Sequence, residues 1–294
     1  MTMNPAYGDL TAFPYAGSKK REQKKIIERI NGSDGLNKKL RIAEPFLGTG
    51  RISYLIGKPN ECYANDGYYE IANMMNYARD DFDSEFWIYA SMLITEDNKK
   101  PEFFYERREE YNNLLKTDLQ TPFRSALFLY IIHSSHGGMM RFNPKTGAVN
   151  ISFKVALVHP TYTRMYNFDK NKIVLQETAR RFIDEIYCEH ANNWLHDMIE
   201  NIELGHIDFI YCDPPYANSG MEYGMSFTEE DREYMHELLD RIYDDYGIPS
   251  LVSDYIPYES AIAVNETFEV SGVMGHVRGV TKKKKLNYMI TRGL

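Results

Sequence analysis

Cysteine is scarce in this chain. There are three among 294 residues, Cys62, Cys188 and Cys212, all far apart. With no C-x-x-C pair and no Cys/His cluster, neither a disulfide framework nor a zinc site organises the fold. Three reduced thiols in a cytosolic protein are the expectation. No apolar run approaches the roughly 20 residues of a membrane span. Residues 1–15 lack the charged-then-apolar layout of a secretory leader, so the chain is expected inside the cell. Internal repeats and low-complexity linkers are missing too. Positive charge is in deficit: 34 Lys and Arg stand against 42 Asp and Glu, a formal net charge of −8. Taken alone, that deficit argues against a nucleic-acid partner, because phosphate binding needs cations.

What is present describes a globular protein. Hydrophobic residues make up 43% and aromatics 14%, with 23 Tyr and 15 Phe. That is enough to bury a core and excludes disorder as the main state. The length accommodates one large α/β domain, or a core domain with a sizeable insertion.

Three stretches differ in texture. In residues 1–78, the basic segment Ser18-Lys19-Lys20-Arg21 precedes a helix carrying Ile26, Ile27 and Ile30. A strand over 41–46 then runs into Leu47-Gly48-Thr49-Gly50. A helix follows with Ile52, Leu55 and Ile56, then a strand over 61–65 ending at Asp66. That is a βαβ unit with an acid after its second strand. Residues 79–166 read as helices over 103–115 and 122–133, then a hairpin near 139–153 turning at Asn143-Pro144-Lys145-Thr146-Gly147. Residues 167–294 return to alternation. Helices are expected over 169–182 and 194–203, and short strands over 185–189 and 208–212. A helix capped by Thr228 and Asp231 comes next, then a strand over 248–253. A closing antiparallel pair over 268–273 and 286–291 ends the chain, and Arg278 and Lys282 to Lys285 lie in its loop. The outer stretches therefore form two halves of one α/β sheet around an inserted middle.

Two constellations carry chemistry. In Glu44-Pro45-Phe46-Leu47-Gly48-Thr49-Gly50, glycines after a strand let a ligand approach the backbone beside a helix N-terminus. Asp66, about 20 residues on, stands where a ribose hydroxyl is bound. The full G-x-G-x-x-G is absent, and Pro45 and Arg51 do not suit a pyrophosphate cradle. A neutral-to-cationic adenosine ligand such as S-adenosylmethionine fits better than NAD. The second constellation is Asp213-Pro214-Pro215-Tyr216, after an apolar strand. Two prolines fix the backbone at a strand's carboxyl end and remove two N–H donors. A carboxylate beside a carbonyl suits an exocyclic NH₂ group, and Tyr216 offers a face for stacking a planar base.

In this motif order the sequence resembles the Dam-type DNA adenine N6-methyltransferases. Tyr15-Ala16-Gly17-Ser18-Lys19 is similar to that family's amino-terminal motif, whose aromatic and lysine sit at the cofactor. Glu44 to Gly50 resembles its E-P-F-x-G-x-G motif, Asp66 its ribose-binding acid, and Asp213 to Tyr216 its catalytic motif. Residues 122–130, then Arg141-Phe142-Asn143 and Asn150, resemble its recognition region. The resemblance implies a Rossmann-like S-adenosylmethionine methyltransferase core with a mostly parallel seven-stranded sheet. The catalytic domain is expected over 1–78 and 167–294, and a mainly helical, hairpin-bearing recognition domain over 79–166. It implies methyl transfer to N6 of an adenine flipped out of double-stranded DNA, with no metal and no membrane, in a bacterial or virus-infected cytoplasm at the nucleoid. Asp213, Pro214, Pro215 and Tyr216 would be catalytic. Tyr15, Ala16, Gly17, Lys19, Glu44, Pro45, Phe46, Gly48, Gly50 and Asp66 would hold the cofactor, with Asn192 or Asn193 at its adenine. Lys20, His136, Arg141, Asn143, Lys145 and Lys283 would face DNA, Arg141 making a bidentate contact to guanine.

The sequence departs from the family at two points. Its usual Gly-Gly-Lys is Gly17-Ser18-Lys19 here. Where enzymes recognising GATC carry an aromatic-Asn pair, this chain has His136-Gly137, so the recognition sequence does not carry over. Two rival readings remain. An amino-methylating enzyme for RNA or protein glutamine is opposed by the Arg141 hairpin. A non-catalytic module binding S-adenosylmethionine or DNA is opposed by intact Gly48, Gly50, Asp66 and Asp213.

Overall fold

A strand covered on both faces is mainly apolar, and three segments are covered in that way, their few polar residues falling mostly at their ends. Ile42–Glu44 (β1), Phe209–Cys212 (β3) and Ser250–Asp254 (β4) are buried at every residue in a computed structural model. It describes residues 12–15, 19, 22–95, 97–117, 119–135, 141–143, 145–154, 168–200, 203–215, 227–270 and 285–294. With Tyr63–Ala64 (β2), Val264–Val270 (β5) and Lys285–Arg292 (β6), the strands form a six-stranded sheet of order β2-β1-β3-β4-β6-β5. The first four strands are parallel, and β6 and β5 close the sheet antiparallel. The closing pair thus forms as expected, although β5 starts at Val264, earlier than its hydrophobicity indicates. Residues 185–189, expected as a further strand, meet the β2 edge through one parallel bridge, Asn65 to Tyr187.

Alternation along the strands sorts the side chains onto two faces. Ile42, Phe209, Tyr211, Leu251 and Met289 share one apolar cluster, and Ala43, Ile210, Cys212, Val252 and Ile290 share the other. The second is covered by Ala191–Glu200 (α8) and Glu229–Tyr246 (α9). The capping box read from the sequence opens α9. Thr228 Oγ1 accepts the Asp231 N–H, and the Asp231 carboxylate accepts the Thr228 N–H at 2.8 Å. The first face is covered by Gln23–Asn31 (α1), Arg51–Ile56 (α2), Tyr69–Ala78 (α3) and Phe168–Ala179 (α7).

Between α3 and α7 the chain forms Glu85–Leu93 (α4), Pro101–Leu115 (α5) and Pro122–Ser134 (α6). Every residue of α6 from Arg124 to Ser134 is buried, as befits a helix surrounded by others. Its apolar side chains belong to the same cluster as those of α1 to α3. Beyond α6, Phe142 pairs antiparallel with Val149, which is the expected hairpin. Among the described residues, no helix is long and apolar enough to cross a membrane.

The turn between β1 and α2 depends on two glycines at left-handed φ, Gly48 (+50°) and Gly50 (+58°). A Cβ at Gly50 would stand 2.6 Å from Thr178 Cγ2. Gly50→Ala is therefore expected to cost about 2–4 kcal/mol, from left-handed strain and overpacking together. Urea unfolding measures it. Adding Thr178→Ser, which removes the crowding methyl, should recover part of the loss, and an unshifted midpoint for Gly50→Ala would contradict this account.

Candidate active site

Four carboxyl groups line the carboxyl ends of the four parallel strands. In spatial order they are Asp66 after β2, Glu44 at the end of β1, Asp213 after β3 and Asp254 at the end of β4. Open α/β sheets bind their ligands at this edge. Burial opposes the charge on each acid, and each has its own donor.

Glu44 is 1% exposed and accepts the Ser53 N–H at 2.7 Å. Ser53 is the third residue of α2, whose N-cap is a glycine with no side chain to offer. The glutamate thus serves one of the helix's orphan amides. Burial pushes its pKa up to about 8, with hydrogen bonding to Ser53 pulling the other way. Asp66 accepts the Gly48 N–H at 2.7 Å with one oxygen and the Tyr68 N–H at 2.8 Å with the other. Burial raises its pKa to about 6 against those two bonds. Asp254 is held by the Arg232 guanidinium and the Tyr255 N–H. Burial works against its charge, but bonds from His236 and Arg232 keep its carboxyl below the ordinary value.

Asp213 is different, because its donor is a mobile-tailed cation. Lys19 Nζ lies 2.7 Å from its Oδ1, with the lysine side chain 6% exposed and the aspartate 21%. Burial raises the Asp213 pKa, and the Lys19 charge and hydrogen bond lower it. Pro214 is buried and Pro215 exposed. Tyr15 covers the glycine turn: a Cβ at Gly48 would be 3.5 Å from its ring. Phe46 meets Phe227 edge-on at 5.3 Å, and His190 stacks on Phe227 at 6.0 Å. Glu44, Pro45, Phe46, Gly48, Gly50, Asp66, Tyr15, Lys19 and Asp213 are thus brought to one edge.

The other expected residues among those described are spread over α8 and the hairpin. Asn193 is exposed on α8, while Asn192 is buried and donates to the Asp231 carbonyl at 2.8 Å. Arg141 and Lys145 are exposed on the hairpin. Asn143 spends its side-chain oxygen on the turn, accepting the Lys145 N–H at 2.9 Å. Ala16, Gly17, Lys20, His136, Tyr216 and Lys283 lie outside the described residues. Two features were not singled out from the sequence, one a pairing and one a residue. Lys19 and Asp213 are too distant in the chain to be paired by inspection. Asn65, fully buried, donates to the Pro45 and Glu189 carbonyls and accepts the Glu189 N–H, tying the ends of β1 and β2 to the segment before α8. The Asn65-Asp66 doublet at a strand end was the available hint.

Residues 15–275 match the family described as D12 class N6 adenine-specific DNA methyltransferase. The chain belongs to this family. Among its relatives, the retron Ec67 DNA adenine methylase of Escherichia coli is 26% identical over 217 residues, covering 73% of this chain and 68% of the relative. A DNA adenine methylase of Vibrio cholerae is 25% identical over 229 residues, 73% of this chain and 72% of its own. Another, from Haemophilus influenzae, is 25% identical over 183 residues, 62% and 56% respectively. Methylation of DNA adenine is therefore the activity of the chain. Among the described residues, no group of His, Cys, Asp and Glu is arranged to hold a metal ion.

The Lys19–Asp213 pair makes a pH prediction. Lysine lowers the aspartate pKa, so Lys19→Met should raise it further above its ordinary value. Less Asp213 is then ionised at neutral pH. The acid limb of the kcat profile should move to higher pH by about one unit or more. Incorporation of labelled methyl groups into DNA across the pH range measures it, and an unmoved acid limb would refute the role.

Proposed function

We propose that this chain transfers a methyl group from S-adenosylmethionine to the exocyclic N6 of an adenine flipped out of double-stranded DNA, within a short specific sequence. The observation that carries this reading is Lys19 bonded to Asp213 at the middle of an acid-lined strand edge. The residues present suit that cofactor. Asp66 and Asp213 favour a ligand with cationic groups. Gly48, at left-handed φ and under the Tyr15 ring, lets the turn point an N–H at Asp66 and sets an aromatic face beside that carboxylate. Tyr15, Ala16, Gly17, Glu44, Pro45, Phe46, Gly48, Gly50 and Asp66 would hold it, Asp66 taking a ribose hydroxyl and Asn193 reaching toward the adenine.

Bound there, S-adenosylmethionine supplies an electrophilic methyl group. The chain's own residues handle the amine. The Asp213 carboxylate and Pro214 carbonyl accept its two N–H bonds, which directs the nitrogen lone pair out of the base plane. Catalysis is then positioning and electrostatics. Lys19 holds Asp213 ionised and fixes its orientation, leaving the second oxygen for the substrate. No strong base is required, because the nitrogen becomes acidic only as it is alkylated and its proton can pass to Asp213 or water afterwards. Tyr216 would stack on the flipped base.

On the DNA side, Arg141 and Lys145 of the exposed hairpin, with Lys20, His136, Asn143 and Lys283, would contact the duplex. The domain division at 78/79 and 166/167, a seventh strand from the segment at Tyr187, and a place in the bacterial or infected-cell cytoplasm at the nucleoid belong to the same reading.

Two substitutions test it. Asp213→Ala should lower methyl transfer by a factor of about 100 or more in a protein that still folds, as circular dichroism checks; unchanged turnover removes Asp213 from the chemistry. Arg141→Ala should lose about 1–3 kcal/mol of discrimination at one base pair. Sequencing the bases methylated by each protein gives the site and its relaxation, and unaltered discrimination at every position would rule that contact out.

A further inference from the structure

Asp66 bridges two turns, and the second leads away from the strand edge. Its Oδ2 accepts from Gly48 in the glycine turn, and its Oδ1 accepts from Tyr68 at the start of α3. The Tyr68 ring is then wedged edge-on between two others. Phe128 of α6 lies 5.7 Å away at 71°, and Phe142 of the hairpin 5.9 Å away at 78°. The Tyr68 hydroxyl end shares a buried polar pocket with Tyr111 of α5 and Glu70 of α3.

The two arms of the hairpin are anchored differently. The returning arm is fixed to α5: Asn112 donates to the Val149 carbonyl and accepts its N–H, and Arg108 donates to the Ile151 carbonyl. The outgoing arm carries Arg141. It is held across the hairpin by Asn150 N–H to the Arg141 carbonyl and Asn143 N–H to the Ala148 carbonyl, and against the catalytic half by Phe142 on Tyr68.

We propose that Tyr68 is a positioning residue that couples cofactor occupancy at Asp66 to the setting of the Arg141 arm. The inference rests on the reading of Asp66 as a cofactor ligand. A hydroxyl donor arriving at Asp66 takes a free acceptor site on an oxygen that already holds one of the two N–H bonds, and the carboxylate and its amide partners adjust together. One of them belongs to Tyr68, so the ring that abuts Phe142 is set by the same event. Coupling of this kind is reciprocal: DNA on the hairpin tightens the cofactor by the factor with which the cofactor tightens DNA. The aromatic contact is direct, and no relay of remote residues is required.

Hydrogen–deuterium exchange of the full chain, with and without saturating S-adenosylhomocysteine, tests this without knowledge of the DNA site. In the wild type the cofactor product should slow exchange at Asn143, Thr146, Gly147 and Asn150 by about five- to tenfold. Tyr68→Phe, which keeps the ring, should respond like the wild type. Tyr68→Ala should still bind S-adenosylhomocysteine by calorimetry but lose the hairpin response. Phe142→Ala, at a half-buried hairpin position outside the catalytic half, should lose it too, and decides the matter if Tyr68→Ala does not fold. Binding to the wild type with no change in hairpin exchange overturns the coupling. So does a full response in Phe142→Ala. Failure of the wild type to bind S-adenosylhomocysteine at all would instead refute the cofactor reading of Asp66, and this inference with it.

Discussion

Burying acids in a row is the constraint around which this sheet edge is built. A carboxylate withdrawn from water costs several kcal/mol unless donors replace its hydration. Here Asp66, Glu44, Asp213 and Asp254 stand on four neighbouring strands. The local structure follows from supplying each one. Glu44 needs the Ser53 amide, which places the first turn of α2 beside the end of β1. Asp66 needs two amides and obtains them from the Gly48 turn and the start of α3. Asp254 receives a guanidinium from α9. Backbone amides and a clamped arginine cannot leave. Lys19 is the donor on a flexible stem, and it serves Asp213, the acid proposed to share its charge with a substrate.

This also resolves the charge deficit. A net charge of −8 opposes nucleic-acid binding only if it is spread evenly. Part of it is buried at the strand edge, where it meets amides and cations and not solvent. Another part lies on the exposed side of α9, at Glu229, Glu230, Glu233, Glu237, Asp244 and Asp245. That helix covers the sheet face opposite to α1 and the insertion. The hairpin presents Arg141 and Lys145 elsewhere. Sign by surface, and not the sum, governs how a duplex is met.

Legibility followed the range of the interaction. The turn after β1, the Asp213 strand end, the α9 capping box and the 142–149 hairpin are all encoded within a few residues, and the sequence reading placed them. β5 was placed late because Val264-Asn265-Glu266-Thr267 is polar and half-exposed at an edge. Its pairing with β6, and not its own hydrophobicity, makes it a strand. Asn192 and Asn193 illustrate another limit: neighbours on a helix differ by about 100° of rotation, and only packing reveals that the first is buried and the second exposed. The Lys19–Asp213 pair and the Tyr68–Phe142 contact join distant segments, and no local pattern announces either.

The apolar side chains of α4 to α6 share one cluster with those of α1 to α3 and α7. At the junction, Arg124 of α6 forms a buried ion pair with Glu70 of α3, with side chains 6% and 3% exposed. A buried pair gains little net stability over an apolar contact of equal size, but breaking it strands an uncompensated charge. Its physical effect is to penalise any other register of α6 on α3. That register fixes Phe128, and Phe128 with Phe142 fixes the slot that Tyr68 fills. A continuous core with one enforced register leaves α6 little freedom to shift on α3. The outgoing arm of the hairpin has fewer anchors: among the described residues it meets α3 through the aromatic contact of Phe142 with Tyr68, so an adjustment there disturbs less of the core than one in α6.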